Sequence, residues 1–204
     1  MLIVGLTGNI AAGKSAVAAQ LAARGATIID ADVLAREAVA PGSAGLAAIV
    51  ARWGAKALAP SGELDRGALR EIVFRDPAER AALDAIVHPE VERLRAAAIA
   101  RARAAHARVV VCDIPLLFEV GLEASVDRIV LVDAPVDVRR ARLVHDRGLA
   151  TDEADAMIAA QMPADRKRAR AHHLIDNGGT REALAAQVEA LWHVLTAEAG
   201  PTGA

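Results

Sequence analysis

Residues Gly8-Asn9-Ile10-Ala11-Ala12-Gly13-Lys14-Ser15 place one lysine and one hydroxyl side by side behind a run of small residues. The octapeptide satisfies the pattern G-x-x-x-x-G-K-[ST] in full. Gly8 and Gly13 permit backbone conformations that side chains hinder, so the N–H groups of Ala11, Ala12, Gly13, Lys14, Ser15 and Ala16 can converge on phosphate oxygens at a helix amino end. Lys14 adds a point charge suited to β and γ phosphates, and the Ser15 hydroxyl suits Mg²⁺. The plainer reading is a glycine-rich turn with a solvated lysine. The apolar run "LIVGLT" before the motif and the helical "SAVAAQLAARG" after it supply the strand–loop–helix context that a phosphate loop demands.

Two acidic positions come next. "TIIDADVLAREA" puts Asp32 just past a second β-rich run, at the carboxyl ends of strands where open α/β sheets hold ligands. A carboxylate there can accept the proton of an attacking hydroxyl, and Arg36, one helical turn on, can hold an anionic group. The competing reading makes Asp30 or Asp32 a helix N-cap and Arg36 its surface ion-pair partner. Asp113 ends "VVVCD" and has two readings as well: a water-mediated Mg²⁺ ligand, or a cap of the following "IPLLFE" segment.

The elements that must position these groups follow from periodicity. β-rich runs at about residues 2–7, 26–30, 108–113, 127–133 and 172–175 alternate with longer alanine-rich stretches of helical period. This predicts an α/β fold of the P-loop NTPase-like, three-layer kind, with a five-stranded parallel sheet flanked by helices. Residues 1–204 read as a single domain. The segment 33–106 is too long for a plain crossover and predicts a helical insertion. An arginine-rich helical excursion at 136–171 predicts a lid, a helix at 180–198 closes the domain, and 199–204 reads as a flexible tail.

Composition limits the partners. Of 204 residues, 54% are hydrophobic, ample for a core, and 24 Lys plus Arg nearly balance 26 Asp plus Glu. No global positive field favours nucleic acid or an anionic membrane. No apolar stretch approaches the roughly 20 residues that span a bilayer, and Lys14 interrupts the first apolar run early, unlike a secretory signal. The single cysteine, Cys112, lies in an apolar run and fits a buried thiol in a reducing compartment. The expectation is a soluble cytoplasmic protein without nucleic-acid or membrane partners.

"GLTGNIAAGKS", "IDADVLAR", "VHPEV", "PLLFE" and "LIDNGG", in this order and spacing, resemble the dephospho-CoA kinase family over nearly the whole chain. The resemblance implies transfer of a phosphoryl group from ATP, with Mg²⁺, to the ribose 3′-hydroxyl of dephospho-CoA, the last step of CoA synthesis. It implies Asp32 as the base that orients or deprotonates that hydroxyl, Lys14 and Arg142 as the other catalytic residues, and Arg36 as a substrate contact. His88 and Pro89 match a pair in the family's helical CoA-binding subdomain, which 33–106 would form. Their spacing alone favours instead a helix start with Pro89 at its first position. Thr7, Leu116, Leu117 and Glu119 fall on the substrate side, and Asn177 and Gly178 match the loop against the adenine of ATP; without the resemblance "DNGG" is only a turn.

The chain departs from the family's pattern in the lid. Arg142 keeps its place, but Arg139 stands where a Gln is usual and the usual Arg-Asp pair is reversed as Asp146-Arg147. An arginine one residue out of step is rotated by about 100° on a helix. Gln161 and Lys167 are kept. His172 and His173, as neighbours entering a strand, face opposite sides, which disfavours a shared metal. Asn9 and Ala12 replace small residues of the phosphate loop with others small enough to keep it open. Two rivals share the phosphate loop: another small-molecule or nucleoside monophosphate kinase, and a nucleotide-dependent switch. The first lacks "IDADVLAR" and "IPLLFE", and a guanine-specific switch needs an N-K-x-D loop that the sequence lacks.

Overall fold

Alternate residues along the β-rich runs are apolar on both faces, as expected of strands covered by helices on each side. A computed structural model describes residues 1–200. Its elements are β1 (Leu2–Gly8), α1 (Lys14–Ala23), β2 (Thr27–Asp30), α2 (Ala31–Glu37), α3 (Ala44–Trp53), α4 (Arg66–Arg75), α5 (Pro77–Ala104), β3 (Val109–Asp113), β4 (Arg128–Asp133), α6 (Val136–Arg147), α7 (Thr151–Ala159), α8 (Ala164–Arg168), β5 (His173–Asp176) and α9 (Arg181–Glu198). All five expected strands form, within a residue or so of their predicted ends.

The strands make a parallel sheet in the order β2-β3-β1-β4-β5, so β1 is central. Leu2 to Leu6 pair with Val109 to Asp113 on one side, and Val4 to Gly8 with Arg128 to Val132 on the other. The chain fills one half of the sheet before crossing to the other. That reversal opens a crevice at the carboxyl edge beside β1, where the loop 9–13 emerges. On one face Val4, Leu6, Val111, Val130 and Val132 pack with Val17 and Leu21 of α1 and Leu184, Val188 and Leu195 of α9. The intervening Val110, Cys112, Ile129 and Leu131 are equally buried. A Cβ on Gly5 would lie 2.4 Å from Leu117 Cδ1 and 3.2 Å from Val126 Cγ2, so any larger residue would displace the Leu117 side chain.

The chain divides into two compact units, Asp30–Arg101 and the remainder. The helical unit thus begins at 30, not 33, because the side chain of Asp30 caps α2 and joins the helix it starts. It ends at 101, not 106. Its core is Ala38, Val39, Ile49, Trp53, Ala57 and Leu69, with Ile86, Val87, Val91 and Leu94 of α5 packed against it. Pro89 is not at a helix start: α5 runs 28 residues with Pro89 in its interior. Proline removes a hydrogen bond there. The apolar contacts on either side of Pro89 keep the helix continuous. Trp53 Nε1 donates to Glu79 at 2.7 Å, and Arg52 donates to both Glu79 oxygens at 3.1 and 3.0 Å while lying over the Trp53 ring. The second tryptophan, Trp192, packs against the sheet core near Gly25.

Hydrogen bonds, from Arg52 first and Trp53 second, hold the Glu79 carboxyl below the usual carboxylate range. A depressed folded-state value adds stability above the unfolded-state value and loses it as pH falls through the folded one. The melting temperatures of wild type and Glu79→Gln should therefore differ at pH 7 and converge as pH falls from the ordinary carboxylate range through the lower folded-state value. A gap that persists in acid would show that the charge on Glu79 is irrelevant.

The carboxyl end of α5 closes with His106 at φ +56°, Ala107 N donating to Ala102 O at 3.0 Å and His106 N to Arg103 O at 3.0 Å. That bond pair favours glycine at the left-handed position. His106→Gly is expected to stabilise the fold by about 0.5–1 kcal/mol, raising Tm by about 1–4 °C in calorimetry. The expected tail at 199–204 lies outside the described residues from 201 on. Ala199 and Gly200 are not frayed: Ala199 N donates to Leu195 O at 2.9 Å, and Arg108 donates to Gly200 O at 3.0 Å. No helix among the described residues is long and apolar enough to cross a membrane.

Candidate active site

The loop after β1 is shaped by close approaches. A Cβ on Gly8 would lie 2.4 Å from Val132 O, so the passing backbone of β4 admits only glycine. Gly13 stands at φ +92° as the N-cap of α1, and a Cβ there would meet Asn177 Nδ2 at 2.0 Å. Ala11 holds φ +58°, a conformation that costs alanine about 1–2 kcal/mol. Its carbonyl accepts from Arg142 Nη1 at 3.0 Å, while the Ala12 carbonyl accepts from Asn177 Nδ2 at 2.8 Å and more weakly from Arg142. Arg142 Nη2 donates to Asn177 O at 2.8 Å, which ties α6, the 177–178 turn and the loop together. On its other side the loop is held by Gln161, whose Oε1 accepts from Ile10 N at 2.7 Å, and by Asn9 Nδ2 donating to Met162 O.

The carbonyls of this loop are thereby gripped from outside, while the amino end of α1 has no side-chain cap. The helices α2, α3, α4 and α9 are capped by Asp30, Ser43, Asp65 and Thr180, while α6, α7 and α8 lack a side-chain cap as α1 does; α1 differs from those three in starting from Gly13 as its N-cap, inside the loop that Gly8 and Gly13 shape. A helix end without a cap leaves N–H donors and a partial positive charge directed outward, the electrostatics of an anion site. Lys14 lies at that end, its Nζ 2.9 Å from Asp113 Oδ1, with both side chains largely buried. Ser15 is exposed, and its hydroxyl has no partner among the described residues. The resulting donor set is a hydroxyl at a helix amino end with a carboxylate held nearby through Lys14. It fits a hard cation that takes most of its ligands from phosphate oxygens and water. Among the described residues no cluster of three or more His, Cys, Asp or Glu could hold a metal by itself.

Several residues expected at the substrate lie beneath the surface instead. Thr7 is fully buried and donates from Oγ1 to Pro115 O at 3.1 Å, so it fixes the loop after β3 from below. Leu117 is also fully buried and fills the space above Gly5. Leu116 remains exposed. Glu119 pairs at 2.7 Å with Lys167, which is wholly buried. Arg168 pairs likewise with Asp133, and Arg170 with Glu123. They join α8 to the sheet edge and to the loop after β3 across 35 or more residues, and no local pattern announces them. Asn177 is buried, and Gly178 is obligatory because a Cβ would lie 2.7 Å from Pro135 Cδ. Arg147 is exposed at the end of α6 and does not share the face of Arg142. His172 accepts from Ile129 N at 3.0 Å through Nδ1, extending the sheet ladder with its ring. Burial pushes His173 below the usual imidazole value.

The helical unit holds the other candidates. Asp30 Oδ1 accepts from Asp32 N at 2.8 Å and Val33 N at 3.2 Å, so Asp30 is the cap and the Asp32 carboxylate is left exposed and without a partner among the described residues. Arg36 is not its ion-pair partner: Arg36 Nε donates to the Asp32 backbone carbonyl at 3.2 Å. His88 is exposed, 3.9 Å from Asp84 across one turn of α5, and Pro89 is exposed beside it.

Residues 2–182 match the protein-family model described as dephospho-CoA kinase. The chain is similar to the dephospho-CoA kinase of Anaeromyxobacter dehalogenans, 50% identical over 94% of this chain and 90% of that one. It is similar also to that of Thermobifida fusca, 46% identical over 96% of each chain. A protein of Thermus thermophilus with a known crystal structure superposes with a TM-score of 0.82 and 39% identity, covering 96% of this chain and 98% of that one.

Proposed function

Because this chain belongs to the dephospho-CoA kinase family, a family of phosphotransferases, we propose that it moves the γ-phosphoryl group of ATP to the ribose 3′-hydroxyl of dephospho-CoA, releasing CoA and ADP. The observation that carries this reading is the uncapped amino end of α1 inside a loop whose Gly8 and Gly13 admit no side chain. That cradle suits the phosphate tail of a nucleotide.

The division of labour follows from the groups present. Backbone amides from Ala11 to Ala16 and the Lys14 ammonium bind the β and γ phosphates and offset the charge that spreads over the transferred group. The Ser15 hydroxyl would hold Mg²⁺, with Asp113 behind it, and the ion would add to the neutralisation of phosphate charge. Asn177 and Gly178 form the floor beside the nucleoside. The Asp32 carboxylate orients the 3′-hydroxyl and accepts its proton as the new O–P bond forms, and Arg36, His88 and Pro89 contact the rest of the acceptor. Arg142, through its bonds to the loop carbonyls, holds the cradle open and adds charge beside the phosphates. The helices of 136–171 act as the lid that excludes water, so hydrolysis of ATP without an acceptor stays slow.

Mass-spectrometric detection of CoA from dephospho-CoA, ATP and Mg²⁺ tests the reading. Formation of CoA with stoichiometric ADP is the expected result. Transfer to a nucleoside monophosphate or a simple alcohol in its place would assign the chain to another small-molecule kinase.

A further inference from the structure

An alanine avoids the left-handed region, so the φ of +58° at Ala11 persists only because its surroundings hold it there. Ala11 is the third residue of a four-residue turn, 9–12, that closes with Ala12 N donating to Asn9 O at 3.0 Å. Groups from distant parts of the chain grip this turn at both ends. The Ala11 carbonyl accepts from Arg142 on one side, and on the other the Ile10 amide donates to Gln161 Oε1 at 2.7 Å. Asn9 adds a third tie, its buried side chain donating from Nδ2 to Met162 O at 3.3 Å. The Ile10 amide is thus spent on holding the loop and not on a ligand.

Gln161 can act this way only if it is itself fixed. It lies between α7 and α8, and α8 is pinned by the pair of wholly buried Lys167 with Glu119 at 2.7 Å and by that of Arg168 with Asp133. Arg170 closes the segment on itself, with Nη1 4.0 Å from Met162 Sδ and its guanidinium 4.8 Å from the centre of the Phe118 ring. A buried ion pair is a weak stabiliser, and what this one secures is the place of the turn that carries Gln161 and Met162. Building on the function proposed above, we propose that Gln161 is a positioning residue for the nucleotide, seconded by Asn9: it keeps the phosphate loop in its strained form before ATP arrives. Its loss leaves Ala11 free to relax, and ATP must then restore the strained turn out of its own binding energy. The acceptor makes no such demand.

The test measures ATP binding by calorimetry in the presence of Mg²⁺. Gln161→Ala should raise the Kd for ATP about tenfold, the upper range for one hydrogen bond, and the KM for ATP with it, while the KM for dephospho-CoA stays within about threefold. A glutamine of merely structural value would lower Tm and the active fraction, and so kcat, without moving the KM for ATP. Asn9→Gly should raise the Kd about threefold, its bond being longer. The decisive variant is Gln161→Ala/Ala11→Gly. Glycine takes a positive φ without strain, so this second substitution should recover about threefold of the lost affinity, which repair of a general folding defect would not do. Circular dichroism checks each fold, and if Gln161→Ala does not fold, Asn9→Gly with and without Ala11→Gly carries the same comparison. Unchanged ATP affinity in the single variants, or no recovery on adding Ala11→Gly, overturns the proposal. These readouts need no CoA to form, so the kinase reading fails separately, only if dephospho-CoA is not phosphorylated.

Discussion

Lys14→Ala is expected to abolish phosphoryl transfer, with kcat/KM for dephospho-CoA falling by about 10³-fold or more. The charge acts where negative charge develops, at the uncapped end of α1, in a pocket where Lys14 and Asp113 are both largely shielded from water. Shielding strengthens each electrostatic contact. The substitution also deletes the 2.9 Å ion pair with Asp113, so some loss of stability accompanies the loss of rate. The two effects separate experimentally. Assayed at a temperature where circular dichroism shows the variant fully folded, the rate deficit should remain. Lys14→Arg keeps the charge but spreads it over a planar fork that does not reproduce a point contact, and is expected to recover only a minor part. A deficit smaller than about tenfold in Lys14→Ala would remove this residue from the chemistry.

Asp32→Asn is the second large effect, and it differs in kind. A side chain of the same shape that cannot take a proton should lower kcat by about 10²- to 10⁴-fold while KM for either substrate moves by less than about threefold. The structure makes this a clean test, because Asp30 and not Asp32 caps α2. Asp32→Asn should leave the melting temperature nearly unchanged. The converse variant, Asp30→Ala, should cost about 1 kcal/mol of stability through the lost cap. Native turnover in Asp32→Asn would end its assignment as base.

The sheet and the phosphate loop were legible in the sequence because both are local. β-branched runs mark strands whichever partners they find, and the loop's motif is complete between Gly8 and Ser15, although the contacts that demand its glycines come from Val132 and Asn177 far along the chain. Asp32 was half legible: its position was plain, but the choice between cap and free carboxylate depended on which of two aspartates turned back onto the helix. The burial of Thr7 and Leu117 and the pairing of Lys167 with Glu119 were not legible. They depend on a loop after β3 folding against β1 and α8, and proline rules alone misplace Pro89, because packing of α5 outweighs the missing hydrogen bond. Ala11 is a related case. Its strained φ is maintained by Arg142, a residue 131 positions away.

The two tryptophans lie one in each unit, Trp53 over Arg52 among the inserted helices and Trp192 on the sheet core, and the chain has no tyrosine. Intrinsic fluorescence therefore divides cleanly into two signals of known origin. A pair of single-tryptophan variants, Trp53→Phe and Trp192→Phe, would follow each unit's denaturation separately, without dyes or labels. Emission from Trp53 would also report directly whether acceptor molecules alter the surroundings of the helical unit before any nucleotide is added.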